Sequence, residues 1–258
     1  MLISNGDCLM ATVLAKQIKK DYPGCHLTWA VSNLCKQVVE NNPFVDTVWE
    51  VPLNNKKEAE HESWFRFRDE ALRRKRAGEF DETFFTQIYP INVYNYDGTT
   101  RGTVYNSYPH PVTVEATPVL RLYDHETEKV KKYSLHHRLY SYRHVILFEC
   151  APVSGQSFVT PEFALEVSRK IVQQRSDTIV IISTHLALES PHEHIIIGNN
   201  LTLRENAELT KRCSLLVGCS SGITWVCNSD WAKPLPSIQF LKRAIGFKFA
   251  SVVYDHKY

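Results

Sequence analysis

No stretch of the 258-residue chain approaches the ~18–20 apolar residues of a membrane-spanning helix. The longest uncharged apolar runs have strand length, as at Thr178–Ser183. There is no excess of either charge: 30 Lys and Arg against 28 Asp and Glu leave +2, so no global field draws the chain to nucleic acid. Glycine and proline are sparse, at 10 and 12, which excludes collagen-like and low-complexity chains. The cysteines (Cys8, Cys25, Cys35, Cys150, Cys213, Cys219 and Cys227) form no C-x-x-C pair and show no zinc-ligand spacing. Their count is odd, and the chain is long for a disulfide-stapled scaffold, so buried, reduced thiols in a cytosolic protein are expected. Met1-Leu2-Ile3-Ser4 runs straight into Asn5-Gly6-Asp7. With no basic segment, long apolar stretch or cleavage site there, no signal peptide is expected. What is present, 43% hydrophobic and 22% charged residues, suits one large folded domain or two small ones.

The first fifty residues alternate between two periods. Met1–Ser4 reads as a short strand, and Asn5-Gly6-Asp7 as a turn. Leu9, Met10, Val13, Leu14 and Ile18 then recur at helical spacing, with Lys16, Lys19, Lys20 and Asp21 facing away. Asp7 can cap that helix, and Tyr22-Pro23-Gly24 ends it. Strands are expected at His26–Val31 and Asp46–Val51, with a helix at Asn33–Glu40 between them. This β-α-β-α-β order predicts a parallel sheet with right-handed crossovers. Asn54–Gly78 reads as a charged helical insertion with Trp64, Phe65 and Phe67 on one side and a basic run, Arg73–Arg76, near its end. Glu79–Thr86 reads as another strand. Residues 89–123 hold six tyrosines (Tyr89, Tyr94, Tyr96, Tyr105, Tyr108 and Tyr123) and are best fitted by short strands and loops. Glu126–Arg138 is polar and weakly helical.

A second alternating unit begins near residue 143. Strands are expected at His144–Glu149, Thr178–Ser183, His194–Ile197, Ser214–Val217 and Leu235–Phe240. Thr160-Pro161-Glu162 opens a helix, with Thr as cap and Pro in the first turn; Phe163, Val167 and Ile171 mark its buried face. Further helices are expected at Arg204–Arg212 and from Gly222 through Asn228. Leu241, Ile245 and Phe249, four apart, predict a helix in the tail. The fold class is therefore α/β: two Rossmann-like domains, 1–140 and 141–258, with a ligand cleft between the carboxyl ends of their strands and a tail free to pack back on the first domain.

Two turns carry chemistry. In Asn5-Gly6-Asp7, glycine permits a tight turn and puts a carboxylate at the carboxyl edge of the sheet. There it serves as a general base, a helix cap, or both. In Gly218-Cys219-Ser220-Ser221-Gly222, small residues allow close approach of a ligand. The N–H groups of Ser221, Gly222 and Ile223 suit a phosphate, while a Ser-capped helix without a ligand fits the pattern equally well. The turn matches neither a Walker A motif nor a G-x-G-x-x-G fingerprint. His185, Glu189, His192, Glu193 and His194 share one polar stretch, but Pro191 interrupts it and no H-E-x-x-H spacing occurs, so no metal site is assigned.

The pattern as a whole resembles glycosyltransferase family 9, the ADP-heptose lipopolysaccharide heptosyltransferases and their relatives. Gly6-Asp7-Cys8-Leu9-Met10-Ala11-Thr12 is similar to that family's G-D-x-L-x-x-T opening. Tyr22-Pro23-Gly24, Leu27-Thr28-Trp29 and Asn42-Pro43-Phe44-Val45-Asp46 match its "YP…ITW…NP-x-VD" run. Leu203-Arg204-Glu205-Asn206-Ala207-Glu208-Leu209 resembles its L-x-E-x-A-x-L helix. Ser220-Ser221-Gly222 falls on its D-[ST]-G motif, and Lys233-Pro234 on a later G-x-P. Residues 52–140 match poorly, and the chain is shorter than typical members.

The resemblance implies a GT-B fold and an inverting, metal-independent glycosyl transfer in bacterial lipopolysaccharide or surface-glycan synthesis. Asp7 would be the catalytic base, with Asn5 and Gly6 beside the acceptor. Ser154, Gly155, Gln156, Ser220, Ser221, Gly222 and Thr224 would hold the nucleotide-sugar donor. The acceptor would be a glycan or a lipid-linked sugar, no cofactor is implied, and the site of action would be the cytoplasm or the inner face of its membrane. The absence of a D-x-D motif agrees with transfer without a metal. The chain departs from the family at three donor positions. Ser220 stands where Asp is usual, Trp225 where His is usual, and Gln156 where a basic residue contacts phosphate; Lys170, Lys211 and Lys233 are the substitutes considered for that cation. A nucleotide-sugar epimerase on the same scaffold and a non-catalytic sugar- or nucleotide-binding relative are the competing readings. The tyrosines of 89–108 fit either acceptor stacking or a core. Arg73–Arg76 fits either an anionic headgroup or a solvated helix end.

Overall fold

A computed structural model describes residues 1–54, 62–95, 100–153, 155–190 and 192–242. The expected tail helix around Ile245 and Phe249, its packing on the first domain, Tyr96 and Ser154 lie outside these residues. The chain divides into two compact units, Met1–Arg121 and Leu122–Tyr258. This division falls before the boundary at 140/141 drawn from the sequence, because the helix that follows residue 122 is tied to the second unit by buried ion pairs.

In the first unit, α1 (Asn5–Asp21) buries Leu9, Met10, Val13, Leu14 and Ile18, the stripe set by their spacing. Strands β1 (Thr28–Ser32) and β2 (Thr47–Val51) pair in parallel, with Thr28 opposite Thr47 and Ser32 opposite Val51. The predicted strand Met1–Ser4 joins no ladder among the described residues. Its amides are taken by a side chain instead: Leu2 N and Ile3 N donate to Gln87 Oε1 at 2.9 and 3.2 Å, and Leu2 O accepts from Ser32 N at 3.0 Å. The predicted helix Asn33–Glu40 is a single 3₁₀ turn at Lys36–Val38. Polar ends shorten it: Asn33 Oδ1 accepts from Leu53 N at 2.8 Å and Asn42 Oδ1 from Phe44 N at 2.9 Å, so both asparagines serve the loops rather than a helix. Helix α2 (Glu62–Arg76) lies within the predicted insertion. The expected strand Glu79–Thr86 forms no ladder among the described residues; Phe80 stacks on Trp49, while Phe84 meets Tyr108 and Phe85 meets Trp64 edge to face. Between 89 and 123 the structure has α3 (Thr100–Asn106) where strands were expected. Residues 113–119 are held along α1 by Gln17 Oε1, which accepts from Thr113 N and Val114 N, and by Thr12 Oγ1, which accepts from Val119 N.

The second unit follows the predicted order closely. Helix α4 (Asp124–His136) leads to β3 (His144–Glu149), α5 (Pro161–Gln174), β4 (Thr178–Ser183), β5 (Ile195–Ile197), α6 (Glu205–Leu209), β6 (Leu215–Gly218), α7 (Gly222–Val226) and β7 (Ser237–Gln239). The five strands form one parallel sheet in the order β5-β4-β3-β6-β7. Its apolar strands are buried on both faces, as such sheets require. Thr160 caps α5 by accepting from Phe163 N at 3.3 Å, with Pro161 opening the helix. The buried face of α5 is rotated by one residue from the prediction. Ala164, Ser168 and Val172 are fully buried, while Phe163, Val167 and Ile171 pack at the flank; small residues bring the helix axis close to the sheet. Helix α4 is fixed to α6 by Glu126, which takes Arg204 Nε and Nη2 at 2.8 Å each, and by Lys129, 2.8 Å from Glu205. All seven cysteines are free thiols, six of them buried.

Candidate functional site

The first group of predicted residues lies at the start of α1. Ser4 occupies the cap position with φ 68° and makes no side-chain cap bond, so the helix begins two residues before Asp7. Asp7 is therefore not the N-cap expected as one of its readings. It is a half-buried carboxylate in the first turn, where the helix dipole favours negative charge. Asn5 and Gly6 open the same turn, and the buried Asn5 Oδ1 has no hydrogen-bond partner among the described residues. Cys8, next along, is completely buried; burial first, then the Cys35 thiol, push its thiol up against the opposing pull of the amino terminus.

The second group is brought together by sheet topology. Strand order β5-β4-β3-β6-β7 reverses direction between β3 and β6. Chain order runs outward from β3 to β5 on one side and from β6 to β7 on the other. Ligands of open parallel sheets bind at such a switch point, beyond the carboxyl ends of the strands. The loop after β3 carries Gly155 and Gln156, and the turn after β6 carries Ser220, Ser221 and Gly222, so both segments sit on the two strands that flank the reversal. Gly155 takes φ 72° and Ser220 φ 52°, both in the left-handed region.

The turn is organised by a residue that the sequence reading passed over as the end of a strand. Glu149, 2% exposed, sends its carboxylate across to β6. Oε2 accepts from Cys219 N at 2.7 Å and from the Thr224 hydroxyl at 2.5 Å, and Oε1 accepts from Ile223 N at 3.0 Å. Burial pushes this carboxyl above the usual range; the Thr224 hydroxyl and the backbone amides oppose the shift without cancelling it. The amide of Ile223, expected to face a phosphate, is thus occupied by an internal carboxylate, while Ser221 and Gly222 remain partly exposed. Thr224, expected at the donor, is completely buried and its hydroxyl belongs to Glu149. Trp225 is buried as well.

Gly218 is closely packed. A Cβ there would stand 2.3 Å from Gln239 Nε2 and 2.4 Å from Thr224 Oγ1. Gln239 reaches in from the end of β7 to accept from Ser220 N at 3.0 Å. Among the described residues its buried Nε2 and the buried Gln156 Oε1 lack hydrogen-bond partners, leaving one donor and one acceptor at this edge for a polar ligand. The exit of β7 is stapled to the loop after β3: Ser157 Oγ donates to Phe240 O at 2.5 Å, and Lys242 N donates to Gln156 O at 2.9 Å. Lys242, which the sequence reading did not weigh, is thereby brought beside Gln156. The cations it did weigh are engaged elsewhere. Lys170 pairs with Glu166 and Lys211 with Glu208, and Lys233 Nζ donates to Cys213 O, before the start of β6.

The remaining candidates divide. Tyr94 is 80% exposed and Tyr89 is exposed, whereas Tyr108 is buried and donates to Asp21 at 2.6 Å. Arg73 and Arg74 both bond Glu70, which they hold down at about 2, and Lys75 pairs with Glu82. Most of the basic run is thus spent on acidic partners. Among the described residues no three or more His, Cys, Asp or Glu cluster as a metal site, and no helix is long and apolar enough to cross a membrane.

No protein-family model matches the chain, and no curated protein does. Solved structures do. A glycosyl transferase of family 9 from Veillonella parvula DSM 2008 matches over 93% of this chain and 78% of its own, with TM-score 0.65 and 15% identity. The E. coli ADP-heptose lps heptosyltransferase II matches over 95% and 90%, with TM-score 0.55 and 13% identity. The E. coli heptosyltransferase WaaC with ADP-2-deoxy-2-fluoro heptose matches over 96% and 93%, with TM-score 0.50 and 12% identity. At these identities the likeness establishes a shared fold, the α/β fold with parallel sheets expected from the sequence.

Proposed function

We propose that this protein is an inverting glycosyltransferase that moves a sugar from a nucleotide-sugar donor to a glycan or glycolipid acceptor. The observation that carries the reading is the switch point. The loop carrying Gly155 and Gln156 and the turn of Ser220, Ser221 and Gly222 flank the reversal between β3 and β6, where a nucleotide is held in folds of this kind. The shared fold supports it: a solved structure of the same fold carries ADP-2-deoxy-2-fluoro heptose.

In this reading Asp7 is the general base. It accepts the proton of the acceptor hydroxyl as that oxygen attacks the anomeric carbon. The bond from the anomeric carbon to the phosphate oxygen breaks, its electron pair leaves with the nucleoside diphosphate, and the anomeric configuration inverts. The charge developing on the diphosphate needs electrostatic support. The partly exposed amides of Ser221 and Gly222 provide part of it, and Lys242 takes the cationic role left open by Gln156. The step as written needs no metal. Asn5 and Gly6 lie beside the acceptor. The reaction belongs to the cytoplasm, at the inner membrane face when the acceptor is lipid-linked, within lipopolysaccharide or surface-glycan synthesis.

The test is a thermal-shift panel with ADP, UDP, GDP, CDP and CMP, followed by transfer assays with sugars of the base that binds. A nucleotide at ~100 times its dissociation constant stabilises the fold by ~2.7 kcal/mol. One clear hit, and transfer that Asp7→Asn abolishes without loss of fold, is the expected result. No shift with any nucleotide overturns the reading in favour of a non-catalytic relative. Consumption of the nucleotide-sugar without an acceptor overturns it in favour of an epimerase.

A further inference from the structure

The amino edge of the second unit's sheet collects positive charge. From 129 to 148 the chain has no acidic residue, while Lys129, Lys131, Lys132, Arg138 and Arg143 all fall in that span. It runs from the later turns of α4 through the 3₁₀ turn Leu139–Ser141 into β3. A second 3₁₀ turn, Thr210–Arg212, precedes β6, the parallel neighbour of β3. The Arg212 guanidinium lies 4.7 Å from the centroid of the Tyr140 ring, so the approaches to both strands meet in one patch. Arg138 closes α4 with φ 50°, the left-handed position that glycine usually fills, and so places a charge at the turn.

The acids of the neighbouring segments are engaged by other cations. Glu128 is 3.5 Å from Lys131, Glu205 2.8 Å from Lys129 and Glu208 2.6 Å from Lys211. Asp177 lies 3.7 Å from Arg175 and 3.8 Å from His144. Lys132, Arg138, Arg143 and Arg212 are exposed and form no ion pair among the described residues. That separates them from Arg73, Arg74 and Lys75, which all have acidic partners. Two large apolar side chains stand among these cations: Leu135 is 58% exposed and Tyr140 54%. A polyanion alone requires no exposed leucine, and an apolar partner alone requires no unpaired arginines. An anionic bilayer surface meets both. Its phosphates take the cations, and its interfacial layer takes the Leu135 tip and the amphipathic Tyr140 ring.

We propose that this edge docks on an anionic lipid surface, with Lys132, Arg138, Arg143 and Arg212 on headgroup phosphates and Leu135 and Tyr140 in the interfacial layer. The strands are parallel, so the switch point at their carboxyl ends lies at the opposite edge of the sheet and stays open to water. Docking here does not depend on the transferase reading, whose residues belong to that opposite edge and to the first unit.

The test is sedimentation of the full chain with vesicles of phosphatidylcholine alone and of equal parts phosphatidylcholine and phosphatidylglycerol. The chain should bind the mixed vesicles and not the neutral ones, and binding should fall as salt is raised. Lys132→Gln, Arg138→Gln and Arg143→Gln should each weaken it about fivefold, the effect of one cation at an anionic surface. Leu135→Ser leaves the charge unchanged and should weaken it about tenfold. Arg66→Gln removes a charge exposed on α2 and should leave binding as in the parent. Every substituted side chain is exposed, so melting temperatures should match the parent; should Arg138→Gln fail to fold, Lys132→Gln and Arg143→Gln are read in its place. Equal binding to neutral vesicles, no binding to either kind, a loss in Arg66→Gln as large as in Arg143→Gln, or Leu135→Ser without effect each overturns the proposal. A short DNA duplex bound as tightly as the mixed vesicles would also overturn it, and would reassign the patch to a nucleic-acid backbone.

Discussion

The carboxylate of Glu149 lies 2.5 Å from the hydroxyl of Thr224. That contact joins β3 to the first turn of α7 across the reversal in strand order. With the amides of Cys219 and Ile223 it makes Glu149 a resident hydrogen-bond acceptor at the turn read from sequence as a phosphate seat. Glu149→Gln keeps the size and turns an amide donor toward groups that are themselves donors. Leaving a buried partner unsatisfied costs about 1–3 kcal/mol. The expected outcome is a fall in stability of that size in urea unfolding, with faster hydrogen exchange at Cys219, Ile223 and Thr224. Protection equal to the parent at those amides would remove Glu149 from its organising role.

The same carboxyl has a pH signature. Burial raises its pKa in the folded state above the ordinary 4.5, so above that value the folded chain binds more protons than the unfolded one. Stability from this group then falls as pH rises from about 4.5 through the raised value. The gap in melting temperature between the parent and Glu149→Gln should therefore narrow with rising pH over that window. A gap that widens instead would mean that the hydrogen bonds outweigh burial.

Gly218→Ala tests the closeness of the packing at the turn. The added methyl would meet Gln239 and Thr224 at 2.3 and 2.4 Å, and overpacking of this kind costs about 1–3 kcal/mol. Shortening one neighbour, in Gly218→Ala with Gln239→Ala, should recover only part of the loss, because Thr224 stays. Full recovery in the double variant would assign the whole conflict to Gln239.

The second unit was legible where the signal is local. Two runs with apolar interiors gave β3 and β4 with the observed limits, and Thr160-Pro161 gave the start of α5. Even there the face was misjudged by one residue, since apolar size marked Phe163, Val167 and Ile171 while packing placed the small Ala164 and Ser168 innermost. The first unit was less legible because distant side chains replace ladder bonds. Gln87 takes the amides of Leu2 and Ile3 from 85 and 84 residues away, and no window of sequence reveals it. Glu149 was hidden for the same reason, its partners lying 70 or more residues on. A lone acidic residue closing an otherwise apolar strand was the available signal. The turns that hold Asp7, Ser221 and Gly222 are written in adjacent residues and could be read; the approach of Lys242 to Gln156 could not, because only the exit of β7 makes it.

The anchoring of α4 predicts a large effect far from either turn. Glu126 makes two bonds of 2.8 Å to Arg204, and both side chains are almost wholly buried. Removing one partner of a buried pair typically costs about 3–5 kcal/mol, because a charge is left in the interior. Glu126→Gln should lower stability by that order in urea unfolding. A loss below about 1 kcal/mol would show that other partners of Arg204 hold the charge.

Charge at the switch point gives two substitutions of opposite sign. Gln156 and Lys242 are joined through the backbone at 2.9 Å, so a cation at either position lies at the same edge. A second cation on a diphosphate adds a charge-assisted contact that weakens with salt. Gln156→Lys should tighten the nucleoside diphosphate found in the thermal-shift panel by about three- to tenfold at low ionic strength, and Lys242→Ala should weaken it by a similar factor. Both effects should shrink as salt is raised. The comparison is calorimetric titration of the parent and the two variants at two salt concentrations. Gln156→Lys without effect would place the diphosphate away from the loop after β3. Lys242→Ala without effect would leave the amides of Ser221 and Gly222 as its main support.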